Sequence, residues 1–400
     1  SMESNLDLDI FKCKLNSDSS ILTTVLEKEI KFFETRTFKE IEGLIEKTIG
    51  HIKVAFPIHR SNILIILGTK TNPRFQENTV HLWDLEKQET IGSINIKEDP
   101  FQPDDIVFDL FLANTYLFLI SKYRIYMFDL MTLEHEFTFE DVWGIEGGIS
   151  YSFSERKIVF AYISYTNHSI VKINKIKITK DKLEYSQRFL STDFESIQYI
   201  KISPQYGYLA VADANGEKIN LYSLRSYKVK KFLWRGYGQV KIVSIFFDSD
   251  NNYLGLYSSQ KTLHIYPISE LNFRKRGNLQ GRKTTKSNLQ VDNEIKTEVN
   301  NTIENDEDEE QLNATKNKKK NKIGGLFKNI RKKIGTKYVD SFARYKDEQI
   351  LCRDIVFIFF NDNKDIVFID KIGKVFVIKF NKKSGGECWL IENKKLDCGN

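Results

Sequence analysis

At 400 residues, with 41% hydrophobic and 13% aromatic residues against only 6 prolines, the chain can bury a sizeable core and is rich in strand formers, which excludes global disorder. Its longest apolar runs, such as Ile63–Leu67 and Ile355–Phe360, fall far short of the ~20 residues a membrane-spanning helix needs. The net charge of +6 is unevenly placed: residues 272–337 carry 17 Lys/Arg against 9 Asp/Glu, a net +8, which leaves −2 elsewhere.

Ser1-Met2 reads as a residue left ahead of the natural start. Glu3 to Asp9 contains no basic region leading into an apolar stretch, so a cytosolic protein is expected. The four cysteines (Cys13, Cys352, Cys388, Cys398) are too few and too widely spaced for a disulfide framework or a metal knuckle, and are expected as thiols. The Asn-x-Ser/Thr sequons at Asn167, Asn300 and Asn313 carry meaning only in a secreted chain.

Short runs with period-2 alternation follow one another between Asn/Asp/Gly/Ser turns, and predict strands at Val107–Phe118, Lys157–Ile163, Tyr208–Ala212, Lys241–Phe247, Thr262–Tyr266 and Val375–Phe380. Helical patterns are scarce. Apolar or aromatic strand ends followed by a turn recur at Phe33, Trp83-Asp84, Phe128-Asp129, Ile173-Asn174, Tyr222-Ser223, Tyr266-Pro267 and Phe380-Asn381, in steps of 50, 45, 45, 49, 44 and 114. A spacing near 45 is that of a four-stranded blade of the WD40 type. Six steps imply seven blades, and the long last step places the charged segment as an insertion inside or just after the sixth. The fold class predicted is all-β: one seven-bladed WD40-type β-propeller over residues 3–400, with a charged insertion at 272–340. The stretch Leu6–Leu15 is expected to complete the last blade and close the ring.

Within the insertion the charge segregates. Glu304 and Asp306–Glu310 form an acidic run, and residues 311–337 then hold ten Lys/Arg and no acid. Residues 274–314 read as a disordered loop. Further on, Ile323, Leu326, Phe327, Ile330 and Ile334 recur at helical spacing with Lys328, Arg331, Lys332 and Lys333 between them. This basic amphipathic pattern suits an anionic membrane interface. It also suits a nuclear-import or nucleic-acid tract, or a solvated face. Stacking aromatics are absent from Lys316 to Lys322, which counts against RNA.

Several stretches resemble the PROPPINs, seven-bladed propellers that bind polyphosphoinositides and include the WIPI proteins of autophagy. Leu15 to Ser20 and Ile30 to Phe33 resemble that family's first blade, and Asn72-Pro73-Arg74-Phe75 with Asn78 to Asp84 its second. Gly385 to Cys388 resembles its C-terminal end. The insertion matches the position of the family's membrane-inserting loop, and Ser341-Phe342-Ala343-Arg344 its return strand. The family's diagnostic Phe/Leu-Arg-Arg-Gly motif appears as Leu233-Trp234-Arg235-Gly236, with one arginine missing.

The resemblance implies two pockets of unequal quality. In the second, Arg235, Ser258, Ser259, Thr262 and His264 match the family's phosphoinositide-binding set, although Lys261 stands where the family has glycine. Arginine's planar fork suits phosphate. Thr262 and His264 share one strand face, and phosphate is expected to favour protonated His264, so that binding strengthens as pH falls through ~6.5. In the first pocket Asp193, Val211, Glu217, Asn220 and Trp234 replace the expected His, Thr, Thr, Arg and Arg, and two carboxylates there repel phosphate.

The function expected is therefore a phosphoinositide-binding, membrane-recruited scaffold of autophagy or endolysosomal trafficking, with one intact pocket for phosphatidylinositol 3-phosphate, the 3,5-bisphosphate, or both. Ile323, Leu326, Phe327, Ile330 and Ile334 are its expected membrane-inserting residues. The resemblance implies a cytoplasmic monomer, peripheral on preautophagosomal, endosomal or vacuolar membranes, with autophagy-type protein partners. No cofactor, metal, catalytic residue or nucleic acid is expected: His51, His59, His81, His135 and His168 lack metal spacing, and no Ser/His/Asp or Cys/His set stands out. The rival is a WD-repeat interaction scaffold that has lost lipid binding and uses the basic tract for nuclear import or nucleic acid.

Overall fold

Alternating β-branched and aromatic residues between Asn/Asp turns fold as antiparallel strands, and the turn carboxylates act as local acceptors. Asp84 Oδ1 takes the amides of Glu86 and Lys87 at 2.9 and 3.2 Å, and Asp370 Oδ1 takes those of Ile372 and Lys374 at 3.1 and 2.7 Å. The computed structural model describes residues 12–26, 29–41, 46–47, 51–96, 105–180, 182–268, 338–346 and 354–396.

Those residues form seven blades. Blade one holds β1 (Lys12–Leu15), β2 (Ile21–Val25), β3 (Glu29–Glu34) and β4 (Glu46–Lys47). Blade two holds β5 (Ile52–Pro57), β6 (Ile63–Gly68), β7 (Thr79–Asp84) and β8 (Glu89–Asn95). Blade three holds β9 (Asp109–Ala113), β10 (Tyr116–Ile120), β11 (Ile125–Asp129) and β12 (His135–Phe139). Blade four holds β13 (Ile149–Ser154), β14 (Lys157–Ile163), β15 (Ile170–Ile178) and β16 (Leu183–Ser191). Blade five holds β17 (Ile197–Ile202), β18 (Tyr208–Asp213), β19 (Lys218–Ser223) and β20 (Val229–Trp234). A short strand, β24 (Tyr338–Asp340), adds to its outer edge in parallel. Blade six holds β21 (Ile242–Phe247), β22 (Tyr253–Ser258), β23 (Leu263–Pro267) and β25 (Ala343–Tyr345). Blade seven holds β26 (Ile355–Phe360), β27 (Ile366–Asp370), β28 (Lys374–Phe380) and β29 (Gly386–Lys395). The outer strands of blades six and seven touch in parallel, Ala343 opposite Gly386.

The seven repeating markers all fall on or at the end of third strands, β3, β7, β11, β15, β19, β23 and β28, and the all-β propeller read from the sequence stands. Residues 269–337 connect the third and fourth strands of blade six. Ile323, Leu326, Phe327, Ile330 and Ile334 lie there, outside the described residues.

Two expectations are corrected. Val107–Phe118 is not one strand: Asn114, at φ 58°, reverses the chain, and Tyr116 pairs back onto Ala113. The described part of the N-terminal stretch does not complete the last blade either. Lys12–Leu15 pairs with Leu22–Val25 as the innermost strand of blade one, because β29 already fills the fourth place of blade seven, in register with β28 from Lys374↔Lys395 to Phe380↔Cys388. Side-chain packing seals the ring instead. One apolar cluster sits between each pair of neighbouring blades, and the closing one joins Cys13, Leu22 and Phe33 of blade one to Val367, Ile369 and Val375 of blade seven. Phe33, Leu22 and Val367 are fully buried there, and each such side chain contributes about 1.5–3 kcal/mol by leaving water.

Candidate functional site

The alternation of β23 decides which way its side chains look. Leu263 and Ile265 pack in the cluster between blades six and seven, whereas Tyr266 packs in the one between blades five and six. His264, on the same face as Tyr266, therefore looks toward blade five. On β22, Tyr257 goes to the blade-seven side and Leu256 to the blade-five side, so Ser258 joins His264. Both are buried, and Ser258 Oγ and His264 Nδ1 have no hydrogen-bond partner among the described residues. Two such groups on one face are unusual, since buried polar atoms are nearly always paired.

Blade five brings Arg235 to the same cleft. Its strand β20 ends at Trp234, and Arg235 is held just beyond it: its amide donates to Glu217 O (2.9 Å), Nε to Gly216 O (2.6 Å) and Nη2 to Gly238 O (2.5 Å). The turn that presents Gly216 needs a glycine, because φ is +66° and a Cβ would lie 2.5 Å from Val240 O. Asp213 Oδ1 braces that turn by accepting from the amides of Glu217 and Lys218 at 2.9 and 3.0 Å. Burial pulls the Arg235 pKa below its ordinary value, against the opposing influence of Tyr266, Glu217 and Asp213. Two of the five guanidinium N–H groups are engaged with carbonyls, and no bond to the other three forms among the described residues.

Tyr266 ties the two blades together through its hydroxyl, which donates to Trp234 O at 3.0 Å. The chain returning from residues 269–337 then completes the cleft. Tyr338, Val339 and Asp340 pair with Phe232, Leu233 and Trp234 of blade five. Two residues further on, β25 places Arg344 opposite His264. Arg344 Nε donates to Ser341 Oγ at 2.5 Å. Burial first, then the charges of Arg344 and Arg235, lower the His264 pKa to about 3.

Arg235, Ser258 and His264 thus come together. Thr262 lies at the start of the same strand face, and its hydroxyl donates to Gln260 O at 3.3 Å. Ser259 does not join them: it is exposed, its Oγ accepts from Lys241 N at 3.1 Å, and its amide donates to Lys241 O at 2.8 Å. Arg344 is the cleft residue that sequence reasoning missed. The signal was present in Ser341-Phe342-Ala343-Arg344, but strand pairing alone shows which residue it faces. Burial first, then the two neighbouring guanidinium groups, keep the His264 imidazole neutral at neutral pH, and the expected gain of a proton on binding phosphate has to overcome all three.

The residues expected at the other pocket, toward blade four, bond mainly to one another and to their own neighbours. Asn220 Nδ2 donates to Asp193 Oδ1 at 2.8 Å and lies within 3.4 Å of the Tyr222 hydroxyl. Val211 is fully buried in the cluster between blades four and five. Glu217 Oε1 accepts from Gly238 N at 2.7 Å, and Trp234 packs edge-on against Tyr237 at 5.0 Å.

Among the described residues no group of three or more His, Cys, Asp or Glu is placed to hold a metal ion, and no helix is long and apolar enough to cross a membrane.

No family model matches the chain. SVP1-like protein 2 of Schizosaccharomyces pombe is 22% identical over 259 residues, covering 64% of this chain and 66% of the relative. SVP1-like protein 2 of Debaryomyces hansenii is 23% identical over 251 residues, covering 56% of each. The chain thus spans just under two thirds of the first relative and little over half of the second. Among solved structures, Kluyveromyces lactis Hsv2 with its complete loop 6CD superposes with a TM-score of 0.67 at 13% identity, over 97% of this chain and 99% of that one. KlAtg21, solved in complex with the coiled coil of AgAtg16, gives 0.63 at 13% identity, over 98% and 100%. These relatives are PROPPINs, and the resemblance read from the motifs extends to the fold of nearly the whole chain.

Proposed function

We propose that the chain is a phosphoinositide-reading scaffold, recruited from the cytoplasm to the membrane surface, in which the cleft between blades five and six takes a 3-phosphorylated inositide headgroup. The observation that carries this reading is the pair of unpartnered buried groups, Ser258 Oγ and His264 Nδ1, on the face that looks toward Arg235. A phosphate there accepts from the hydroxyl, from a neutral imidazole N–H and from the guanidinium, relieving two unsatisfied groups at once. Arg344 and Thr262 extend the donor set. The opposite pocket, closed by Asn220 and Asp193, takes no lipid, so the protein reads one headgroup.

The insertion supplies the second membrane device. Ile323, Leu326, Phe327, Ile330 and Ile334 enter the membrane interface while the neighbouring lysines meet lipid phosphates. The bound lipid is phosphatidylinositol 3-phosphate or the 3,5-bisphosphate, on preautophagosomal, endosomal or vacuolar membranes. The remaining propeller faces bind proteins of the autophagy machinery, as Atg21 binds the Atg16 coiled coil. The role is recognition and scaffolding, with no catalytic step.

The carbonyl bonds of Arg235 favour a second reading, a protein-interaction propeller in which this arginine is only a loop tie. Flotation on liposomes with and without phosphatidylinositol 3-phosphate separates the two. Recovery that depends on the 3-phosphoinositide supports the lipid reader, and equal recovery on both vesicles supports the interaction scaffold.

A further inference from the structure

The inner strands surround a cavity of about 1230 Å3 along the propeller axis, apart from the blade five and six cleft. Its charge is out of balance. From blade one, Lys12 and Lys14 both reach across to a single oxygen of blade three, Asp109 Oδ1, at 3.1 and 2.5 Å. Lys14 also donates to the carbonyl of Leu110. Burial raises the Asp109 pKa, but Lys14 and Lys12 outweigh it and hold the carboxyl down to about 2, so it is ionised.

From blade five, Lys201 lines the cavity and forms no hydrogen bond or ion pair among the described residues. Burial and the charge of Lys14 lower its pKa. Lys12 and Lys14 thus share Asp109, with the charge of Glu146 also acting on Lys12, and Lys201 adds a cation on the cavity wall with no carboxylate of its own, so ammonium groups exceed their paired carboxylate by two. The other carboxylates lining the cavity each have a cation of their own, Asp18 with Arg60 at 2.9 Å and Asp362 with Arg36 at 3.1 Å among them. Tyr151 and Ser244 add hydroxyl donors to the wall.

The geometry points to a second ligand site in this central cavity, where Lys201 with Lys12 and Lys14 binds a small soluble anion bearing two or more phosphate charges. A multivalent anion fits better than chloride because the surplus is two charges, and an unpaired ammonium out of water is costly until it is met. A polyphosphate has the oxygens to meet Lys201 and the shared Lys12–Lys14–Asp109 cluster together, and 1230 Å3 is ample for a ligand of that size. This site is independent of the headgroup reading.

Calorimetry on the full chain carrying Arg235→Ala, which silences the outer cleft, tests the assignment with two probes, inorganic pyrophosphate and myo-inositol hexakisphosphate. At least one probe is expected to bind with one equivalent. Adding Lys201→Met weakens it about tenfold or more, as loss of a charged hydrogen bond should. Lys201→Arg keeps it within a few-fold. Without anion, Lys201→Met melts higher than its parent, and the anion raises the melting temperature of the parent alone. If Lys201→Met does not fold, Lys12→Met gives the same readout, since Asp109 retains Lys14. Undiminished binding in the methionine variant, loss of binding with Arg235→Ala alone, or no binding of either probe overturns the proposal. Preference between the probes tells an inorganic polyphosphate from a free inositol phosphate.

Discussion

His264 and Arg344 stand directly opposite each other on β23 and β25, so the fourth strand of blade six, reached only after the 269–337 segment, sets the chemistry of the third. Burial of the ring, with the guanidinium groups of Arg344 and then Arg235, lowers the His264 pKa to about 3. The protein consequently offers the headgroup a neutral imidazole between pH 8 and 6. The ligand instead loses charge as its phosphate titrates near ~6. Affinity for a soluble 3-phosphorylated headgroup is expected to stay level from pH 8 to 7 and weaken below. His264→Gln should lower affinity by roughly tenfold without changing the shape of that profile. Binding that tightens on acidification in the wild type and not in His264→Gln would restore the imidazolium reading.

The same depressed pKa makes a stability prediction. In the unfolded chain His264 titrates near ~6.5, and in the native state near about 3. Between these values the unfolded state holds the extra proton, so stability is full above ~6.5 and falls as pH drops through that window, by up to ~1.4 kcal/mol per pH unit. Urea unfolding of wild type and His264→Gln from pH 7 to 4 should show the variant losing less stability on acidification. Parallel curves would mean that the native imidazole protonates freely.

The blade count was legible because each third strand ends in an apolar residue and a turn, a local pattern repeated at nearly constant spacing. Trp83-Asp84 and Tyr222-Ser223 needed no tertiary information. Ring closure was not legible: β1 has the composition to pair at either side of the seam, and only the occupation of blade seven by β29 decides it. For the site, Arg235, Ser258 and His264 were readable as a motif on consecutive elements. Arg344 comes from 80 residues beyond His264, and the neutral state of His264 depends on it. Ser259 shows the converse, since neighbouring serines alternate across a strand end and only one can face the cleft.

A single headgroup per chain is expected from the two sets of residues. Asn220 is spent on Asp193 at 2.8 Å, where the resemblance implies an arginine. Titration with a soluble 3-phosphorylated headgroup should saturate near one equivalent. Asn220→Arg with Asp193→His should restore a second, weaker site only if Trp234 is also returned to arginine. Two equivalents of comparable affinity in the wild type would show that the other pocket opens to lipid.

Stable membrane residence is expected to require the cleft and the insertion together, since one reversible anchor gives only marginal binding. Leu326→Asp with Phe327→Asp removes the two central apolar residues of the 323–334 pattern and sets two carboxylates among its lysines. This pair should abolish liposome flotation while leaving soluble headgroup affinity intact, because the cleft is built from blades five and six. Arg235→Ala should do the converse. It loses selectivity for the 3-phosphoinositide but keeps a salt-sensitive attraction to any anionic bilayer, because the ten cations of residues 311–337 remain and are screened within ~10 Å at 0.1 M salt. The variant also loses two carbonyl bonds, so its melting temperature should fall, and Arg235→Lys, which cannot reproduce the fork, should recover little of either property. Flotation of the Leu326/Phe327 variant at wild-type levels would make the insertion a spacer or a protein-binding arm, and would leave the cleft to hold the membrane by itself.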